Sequence, residues 1–363
     1  MSRLFLPNFD FEAGLSSHSG QRSREASRRN SELAFAWLAI ARPGDAILLD
    51  ELPGPDFDLQ PLGRHGVEFL QPQSPSCNPA PQLVPWGWDK PTRNWVESLK
   101  LPFDAPPIDI VARVNSRKFS YLCELEFGCG LPGQAICRSR DEVEQAVRSW
   151  PRWLLKGNFS SAGRDRLAGA GPLDERSANW IARRLERDGM VLVEPFLESI
   201  EEAGIQWEIP RPPQPPELIG VVPLLCDDRG QYRGSVIAND DSLLEYWRPA
   251  VEVTRRAVTR IQSLGYFGPV GIDAMRYRDA GGDIRIRPLQ DINARWTMGR
   301  LALGWHDRIP ESARGVLSCG PEAFPNPETV RISPQALGGK PVRHVFSLRV
   351  EPMDAAASRP RTI

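Results

Sequence analysis

Between residues 106 and 305, short apolar runs alternate with capped, amphipathic helical stretches. Two periodicities interleaved in this way confine the segment to layers of helices packed on sheets. Residues 108–114 are apolar, and Asn115 or Ser116 can cap a helix over 117–127 that gives way to the turn 128–133. A short strand over 134–138 precedes Ser139, which caps a helix over 141–150. A strand over 152–156 and a small-residue loop over 157–171 follow. A helix over 173–187 then ends at Gly189, and an apolar strand covers 190–194. Beyond it come a strand over 205–209, a Pro-rich segment over 210–216 that is a candidate to shape a substrate site, and a hairpin of 218–226 with 232–238. A long helix over about 243–264 leads to strands over 270–277 and 284–289.

The N-terminal third is plainer. A polar stretch over 16–29 reads as a loop, Ser31 caps a helix to about 41, and 46–49 is a buried strand. Residues 51–92 are Pro-rich and read as mostly loop. The expected division is a small α/β domain over 1–105, the main domain over 106–305, and a C-terminal extension over 306–363 whose end is disordered.

Composition removes several classes of function. The 363 residues are 41% hydrophobic and 25% charged, ordinary for a globular chain, and the formal net charge of -1 gives no argument for nucleic acid or membrane as partner. No apolar run is long enough to span a bilayer, and the N-terminus is no secretory signal, so a cytoplasmic protein is expected. Six cysteines lack C-x-x-C spacing and are expected to be reduced. The four histidines pair with no nucleophile motif and are expected at the surface or in satisfied core positions. Of 45 basic residues only five are lysine, which draws attention to Lys118 and Lys156.

Three clusters bear chemistry. In the first, a strand delivers Lys156 to a small-residue loop that includes Ser160, Ser161 and Gly163. Such a loop lets backbone N–H groups approach phosphate oxygens, and the ammonium adds a point charge. Alone, the pattern is as well explained by a strand-end lysine beside a surface loop. The second is the apolar strand ending in Glu194, then Pro195, Phe196, Leu197 and Glu198. A carboxylate and backbone groups there suit an adenine slot, although a solvated strand end gives the same pattern. The third joins Asp273 to Asp291, Asn293 and Arg295. Residues two apart on a strand share a face, so Asp291 and Asn293 point together. With Asp273 on a neighbouring strand, three hard oxygen ligands converge, a set suited to Mg²⁺ beside nucleotide phosphates. Arg295, on the same face, is placed to steady a transferring phosphoryl group. The competing reading is a polar strand end with Asp291 paired to Arg295.

In this order along the chain, the helix-start lysine, the strand lysine with its small-residue loop, the strand ending in Glu, the remote Asp and the acidic-x-Asn-x-Arg segment resemble the ATP-grasp superfamily over roughly 105–305. The resemblance implies an α/β (α+β) fold in which two α+β subdomains clasp ATP behind a small preceding α/β domain. It implies that Lys118 and Lys156 contact phosphates, that Glu194 with the backbone of Pro195 and Leu197 holds adenine, and that Glu198 reaches the ribose. Asp273, Asp291 and Asn293 would bind Mg²⁺, or Mn²⁺ in its place, and Arg295 would stabilise the reacting phosphate. The implied activity is an ATP-dependent ligase, carbon–nitrogen bond forming above all, that activates a small-molecule carboxylate for attack by an amine or thiol. A homodimer fits the same resemblance. A kinase of this fold and a non-catalytic ATP-binding protein are the alternatives.

Overall fold

The computed structural model describes residues 2–16, 22–72, 81–159, 165–227, 230–238, 242–320 and 329–353. Its N-terminal part is built on four parallel strands, ordered Glu68–Leu70, Ala46–Leu48, Arg3–Leu6 and Gln82–Pro85. Two of these strands lie in 51–92, the stretch expected to be mostly loop. They are three and four residues long, too short to show a period. After a short helix, Phe11–Leu15, the helix expected from Ser31 begins earlier than expected. It covers Arg24–Leu33, and Ser23, not Ser31, caps it by accepting from the Ala26 N–H. The apolar run behind the Ser31 expectation is a 3-10 helix, Ala34–Ala39, with every residue buried. Trp37 in that run stacks on Phe5 with centroids 4.7 Å apart, and Trp296 meets Trp37 edge-on at 5.4 Å. The Trp296 N–H donates to the Trp86 carbonyl at 3.1 Å, which fastens the N-terminal part to the rest.

Residues 135–195 form a small antiparallel sheet ordered Ala135–Cys137, Val191–Pro195, Arg152–Lys156 and Arg166–Ala170. The last strand replaces part of the loop expected over 157–171. Helices Arg140–Val147 and Glu175–Asp188 cover one face, burying Val143, Val147 and Ile181 against Trp153, Leu155, Val191 and Val193. Alternation along a strand then turns Leu154, Lys156 and Glu194 to the opposite face.

That face looks toward an eight-stranded antiparallel sheet. Its order is Ile284–Asn293, Gly268–Arg278, Glu198–Ile209, Glu217–Cys226, Tyr232–Ala238, Ala313–Gly320, Val345–Pro352 and Thr329–Arg331. Three of these strands lie beyond residue 305, so the expected extension supplies part of the main sheet; residues 354–363 lie outside the described residues. The long helix expected over 243–264 is two, Ser242–Tyr246 and Arg248–Ser263, broken at Trp247 just before Pro249. Its second part buries Thr254, Ala257, Val258 and Ile261 on the sheet, and the Trp207 indole N–H donates to Thr254 at 3.1 Å. The apolar stretch at 108–114 is a helix, Ile108–Val114. Ser116 caps the next, Arg117–Phe127, and Gly128 ends it in the left-handed region at φ 71°.

Candidate active site

Two cavities adjoin, the larger in the cleft between the small and the large sheet and the second between the large sheet and the N-terminal part. The larger, about 660 Å³, is walled by Leu154, Leu167 and Ala168 on the small sheet, by the link 195–197, and by Leu224, Met275 and Gln290 on the large one. The second, about 460 Å³, contains Asp273, Asp291, Asn293 and Arg295. Glu202, Leu224, Cys226, Gly230 and Gln231 border both. The Pro-rich segment 210–216 contributes to neither.

Asp273 and Asp291 are directly opposed across the antiparallel pair, and Gly271 faces Asn293 in the same register. Directly opposed residues sit on one face of a sheet, so the three side chains meet. The Asn293 amide donates to the Asp273 carboxylate at 3.0 Å. A register shift follows at once, between Asp273 and Met275, and a bulge of that kind re-aims side chains locally. Glycine is required at 271, because a Cβ there would lie 2.5 Å from the Thr297 methyl. Burial first, then the neighbouring Asp291 and Glu202 charges, push the Asp273 carboxyl up to about 7. An acidic set strained in this way suits a cation. The set is two carboxylates and an amide; no group of three or more His, Cys, Asp or Glu side chains poised for a metal occurs among the described residues.

The same strain yields a prediction. An aspartate whose folded pKa is raised costs stability once ionised, and the cost grows as pH rises from the ordinary 3.8 through about 7. Asp273→Asn is therefore expected to stabilise the ligand-free protein at pH 8 by about 1–3 kcal/mol. The gain should shrink toward pH 4 in thermal melts. A variant less stable than wild type at pH 8 would refute it.

Arg295 is held by three partners. Its Nε donates to Glu12 Oε1 at 2.7 Å, Nη2 to Asn293 Oδ1 at 2.9 Å, and Nη1 to the Trp296 carbonyl at 2.9 Å. The Trp86 ring lies 5.3 Å from its guanidinium carbon. Glu12 comes from the N-terminal part, so both halves of the chain build this site. Arg295 does not pair with Asp291; Arg117 does, at 3.2 Å, while also donating to the Gly157 carbonyl at 2.8 Å.

Arg117 corrects an expectation. Lys118 is expected, with Lys156, to contact phosphates, but its side chain is exposed on the Arg117–Phe127 helix, and it is Arg117 that turns inward. Glu194 is also placed differently from an adenine-facing carboxylate. It is 1% exposed, and Lys156 Nζ lies 2.5 Å from its Oε1. Arg287 bonds both its oxygens, at 3.2 and 3.0 Å, and both oxygens of Glu124, at 2.7 and 3.1 Å. The Gln134 amide reaches Glu124 at 3.0 Å and Glu194 at 3.4 Å. Two cations and two anions thus neutralise one another under the floor of the larger cavity. Burial alone would raise the Glu194 carboxyl, yet Arg287 and Lys156 hold it at about 2. Burial lowers the Lys156 ammonium despite Glu194.

Pro195, Phe196 and Leu197 line the larger cavity half-buried, with Arg152 stacked 4.0 Å over the Phe196 ring, and Glu198 is exposed at the rim. Ser160, Ser161 and Gly163 lie outside the described residues, as do Cys77 and His18. The other five cysteines are free. His344, expected at the surface or in the core, lines the second cavity, and its Nδ1 lies 2.8 Å from Glu32 Oε2, which accepts. Nothing in its sequence neighbourhood marks it. No helix of the described residues is long and apolar enough to cross a membrane.

No protein-family model matches this chain, and no curated protein sequence matches it. Solved structures do. The biotin carboxylase domain of Hydrogenobacter thermophilus 2-oxoglutarate carboxylase, a dimer in complex with MgADP, ADP and bicarbonate, aligns with a TM-score of 0.57 at 10% identity over 97% of this chain and 86% of that one. Campylobacter jejuni biotin carboxylase, in complex with β,γ-ATP, aligns at 0.55 and 11% identity over 97% and 87%. Staphylococcus aureus N5-carboxyaminoimidazole synthetase aligns at 0.51 and 9% identity over 96% and 92%. These are ATP-grasp proteins with an N-terminal domain, and the chain, with its two facing sheets behind a small parallel α/β layer, has the ATP-grasp fold.

Proposed function

We propose that this protein is an ATP- and Mg²⁺-dependent ligase that activates a carboxylate as an acyl phosphate for attack by an amine or thiol. The observation that carries the reading is the convergence of Asp273, Asp291, Asn293 and Arg295 in the second cavity, which adjoins the larger one. The larger cavity has the volume of a nucleotide site, with the apolar Leu154, Leu167, Leu224 and Met275 set among its charged lining residues. Gln290 Oε1, buried and without a partner among the described residues, borders it and is an acceptor suited to a ligand N–H. The fold's neighbours named above were solved with ADP, with MgADP and bicarbonate, or with β,γ-ATP, which supports the same reading.

The donor set fits Mg²⁺: hard oxygens, close together, with excess negative charge. Asp273, Asp291 and Asn293 would hold it, and it would supply charge neutralisation for phosphate oxygens. Lys156 pairs with Glu194, which borders the larger cavity, and Arg117 pairs with Asp291 of the acidic set, so both cations lie near the place where a phosphate chain would run. Arg295 has five N–H donors and spends three on protein. The two that remain, one on each terminal nitrogen, are free for an oxyanion in the second cavity. Its guanidinium is fixed before any ligand arrives, so little reorganisation opposes stabilising charge that develops there. Trp86 and Phe9 on the N-terminal side restrict water at the same place, which protects an acyl phosphate from hydrolysis.

The test is a thermal melt with ATP, with and without Mg²⁺, on the wild type and on Asn293→Ala. A ligand bound only by the folded state raises its melting temperature. We expect a Mg²⁺-dependent rise that Asn293→Ala loses. No rise with any nucleotide would end the ligase reading. Acid-dependent release of ADP without free phosphate would make the protein a kinase instead.

A further inference from the structure

The second cavity runs across the large sheet. Its wall takes residues from six successive strands: Asp291 on the first, Asp273 on the second, then Gln206, Leu224, Arg233 and Gly320. The acidic set therefore occupies one end. At the other end, past the sixth strand, the wall is basic, with Arg343 and His344 just ahead of the strand Val345–Pro352 and Arg29 on the helix Arg24–Leu33. Apolar side chains, Phe9, Leu33, Trp86 and Met298, line the cavity between polar positions.

The basic end is assembled on purpose-built contacts. Glu32 accepts from Arg28 at 3.0 Å, from the His344 N–H at 3.1 Å, and meets the His344 ring at 2.8 Å. Arg28 donates to the Pro341 carbonyl at 2.7 Å. These bonds tie the helix Arg24–Leu33 to the segment before the last long strand, and so bring Arg29 and Arg343 to one cavity mouth. Arg233 there has a counter-charge, Asp227, at 2.8 Å. The guanidiniums of Arg29, half-buried, and Arg343, exposed, have no hydrogen bond or ion pair among the described residues. Two guanidiniums on separate elements, both unpaired over one concave surface, focus positive potential there. Guanidinium binds oxyanions in a fork, with more directional strength than a neutral donor.

We propose that the acid substrate carries a second anionic group, a carboxylate or a phosphate, at the end remote from the carboxyl that is activated, and that Arg29 and Arg343 hold it. The substrate is then an elongated, doubly anionic molecule with an apolar middle. This rests on the ligase reading for the identity of the first carboxyl, while the basic end stands on its own geometry.

The test is calorimetric titration with unbranched acids of four to eight carbons whose far end is methyl, carboxylate or phosphonate. Each is measured with and without Mg²⁺ and a non-hydrolysable ATP analogue, on the wild type and on Arg29→Gln/Arg343→Gln. At the best chain length, the doubly anionic acid should bind about ten-fold or more tighter than its methyl-ended counterpart. The double variant should bring that ratio to about two or less. A preference for phosphonate over carboxylate would assign the group as a phosphate, and the reverse as a carboxylate. Equal binding of all three ends at every length, no binding of any, or a ratio unchanged in the double variant would overturn the proposal. A Mg·ADP melting shift in the variant shows that it is folded. Absence of that shift in the wild type would overturn the ligase reading separately, and the ratio measured without nucleotide would still decide this proposal.

Discussion

Arg287→Met is expected to destabilise the protein by about 3–5 kcal/mol, because it leaves two buried carboxylates facing each other. Arg287 is 2% exposed and bonds all four oxygens of Glu124 and Glu194. Methionine fills much of the same space, so the loss is one of charge balance more than of packing. After the substitution Lys156 is the one remaining cation of the four-membered network, and it touches Glu194. The pH dependence has a definite sign. In the wild type Glu194 titrates at about 2, below its ordinary 4.5, so its contribution is present above 4.5 and lost as pH falls through about 2. Burial already raises Glu124, and without Arg287 nothing opposes that rise at full strength. A carboxylate with a raised folded pKa costs stability as pH increases. The deficit of the variant should therefore be largest at neutral pH and smaller near pH 4, where the carboxyls take up protons. Urea unfolding at pH 4.5 and 7.5 measures both. A deficit under 1 kcal/mol at pH 7.5, or one that grows on acidification, would show that the network does not balance charge as described.

Arg295→Leu is expected to lower kcat for acid-dependent phosphate release by about 10²–10³-fold, the usual cost of removing a preorganised donor to developing charge. The Arg295 side chain is 10% exposed and its partners come from both halves of the chain, Glu12 on one side and Asn293 and Trp296 on the other. Its remaining donors open on the second cavity. Leucine removes them without touching the larger cavity, so the Mg·ADP melting shift should persist. Loss of that shift together with activity would mean that Arg295 holds the site together and does not act on the reacting group. Glu12→Gln keeps one hydrogen bond to Arg295 and drops the charge; its effect should be smaller and fall on kcat more than on KM.

How much of this was legible along the chain depends on how far apart the interacting residues lie. Asp291 and Asn293 declare themselves through a spacing of two on one strand, and Asp273 sits on the hairpin partner, so local periodicity is enough to bring them together. Helix starts at Ser116 and Ser139 were readable for the same reason, since a cap and the N–H it serves are three residues apart. The choice between Arg117 and Lys118 was not. Neighbouring helical residues differ by about 100° in direction, and the direction that faces the acidic set is fixed by how the whole helix packs on the strand Ile284–Asn293. Lysine scarcity marks Lys118, the exposed one of the two neighbours. The strands at Glu68–Leu70 and Gln82–Pro85 escaped notice because parallel pairing is non-local, and three or four residues carry no period.

The amino-acid order by itself determined the alternation of helices and strands, the convergence of three oxygen-bearing side chains on one sheet face, and the likeness to an ATP-grasp chain. All of these rest on spacings of a few residues. Only the tertiary structure decided that Glu194 spends its charge on Lys156 and Arg287, that Glu12 aims Arg295, and that Arg29 and Arg343 share one cavity. A buried charge finds its counter-charge through space, and the partner's position in the sequence leaves no trace in the pattern around either residue.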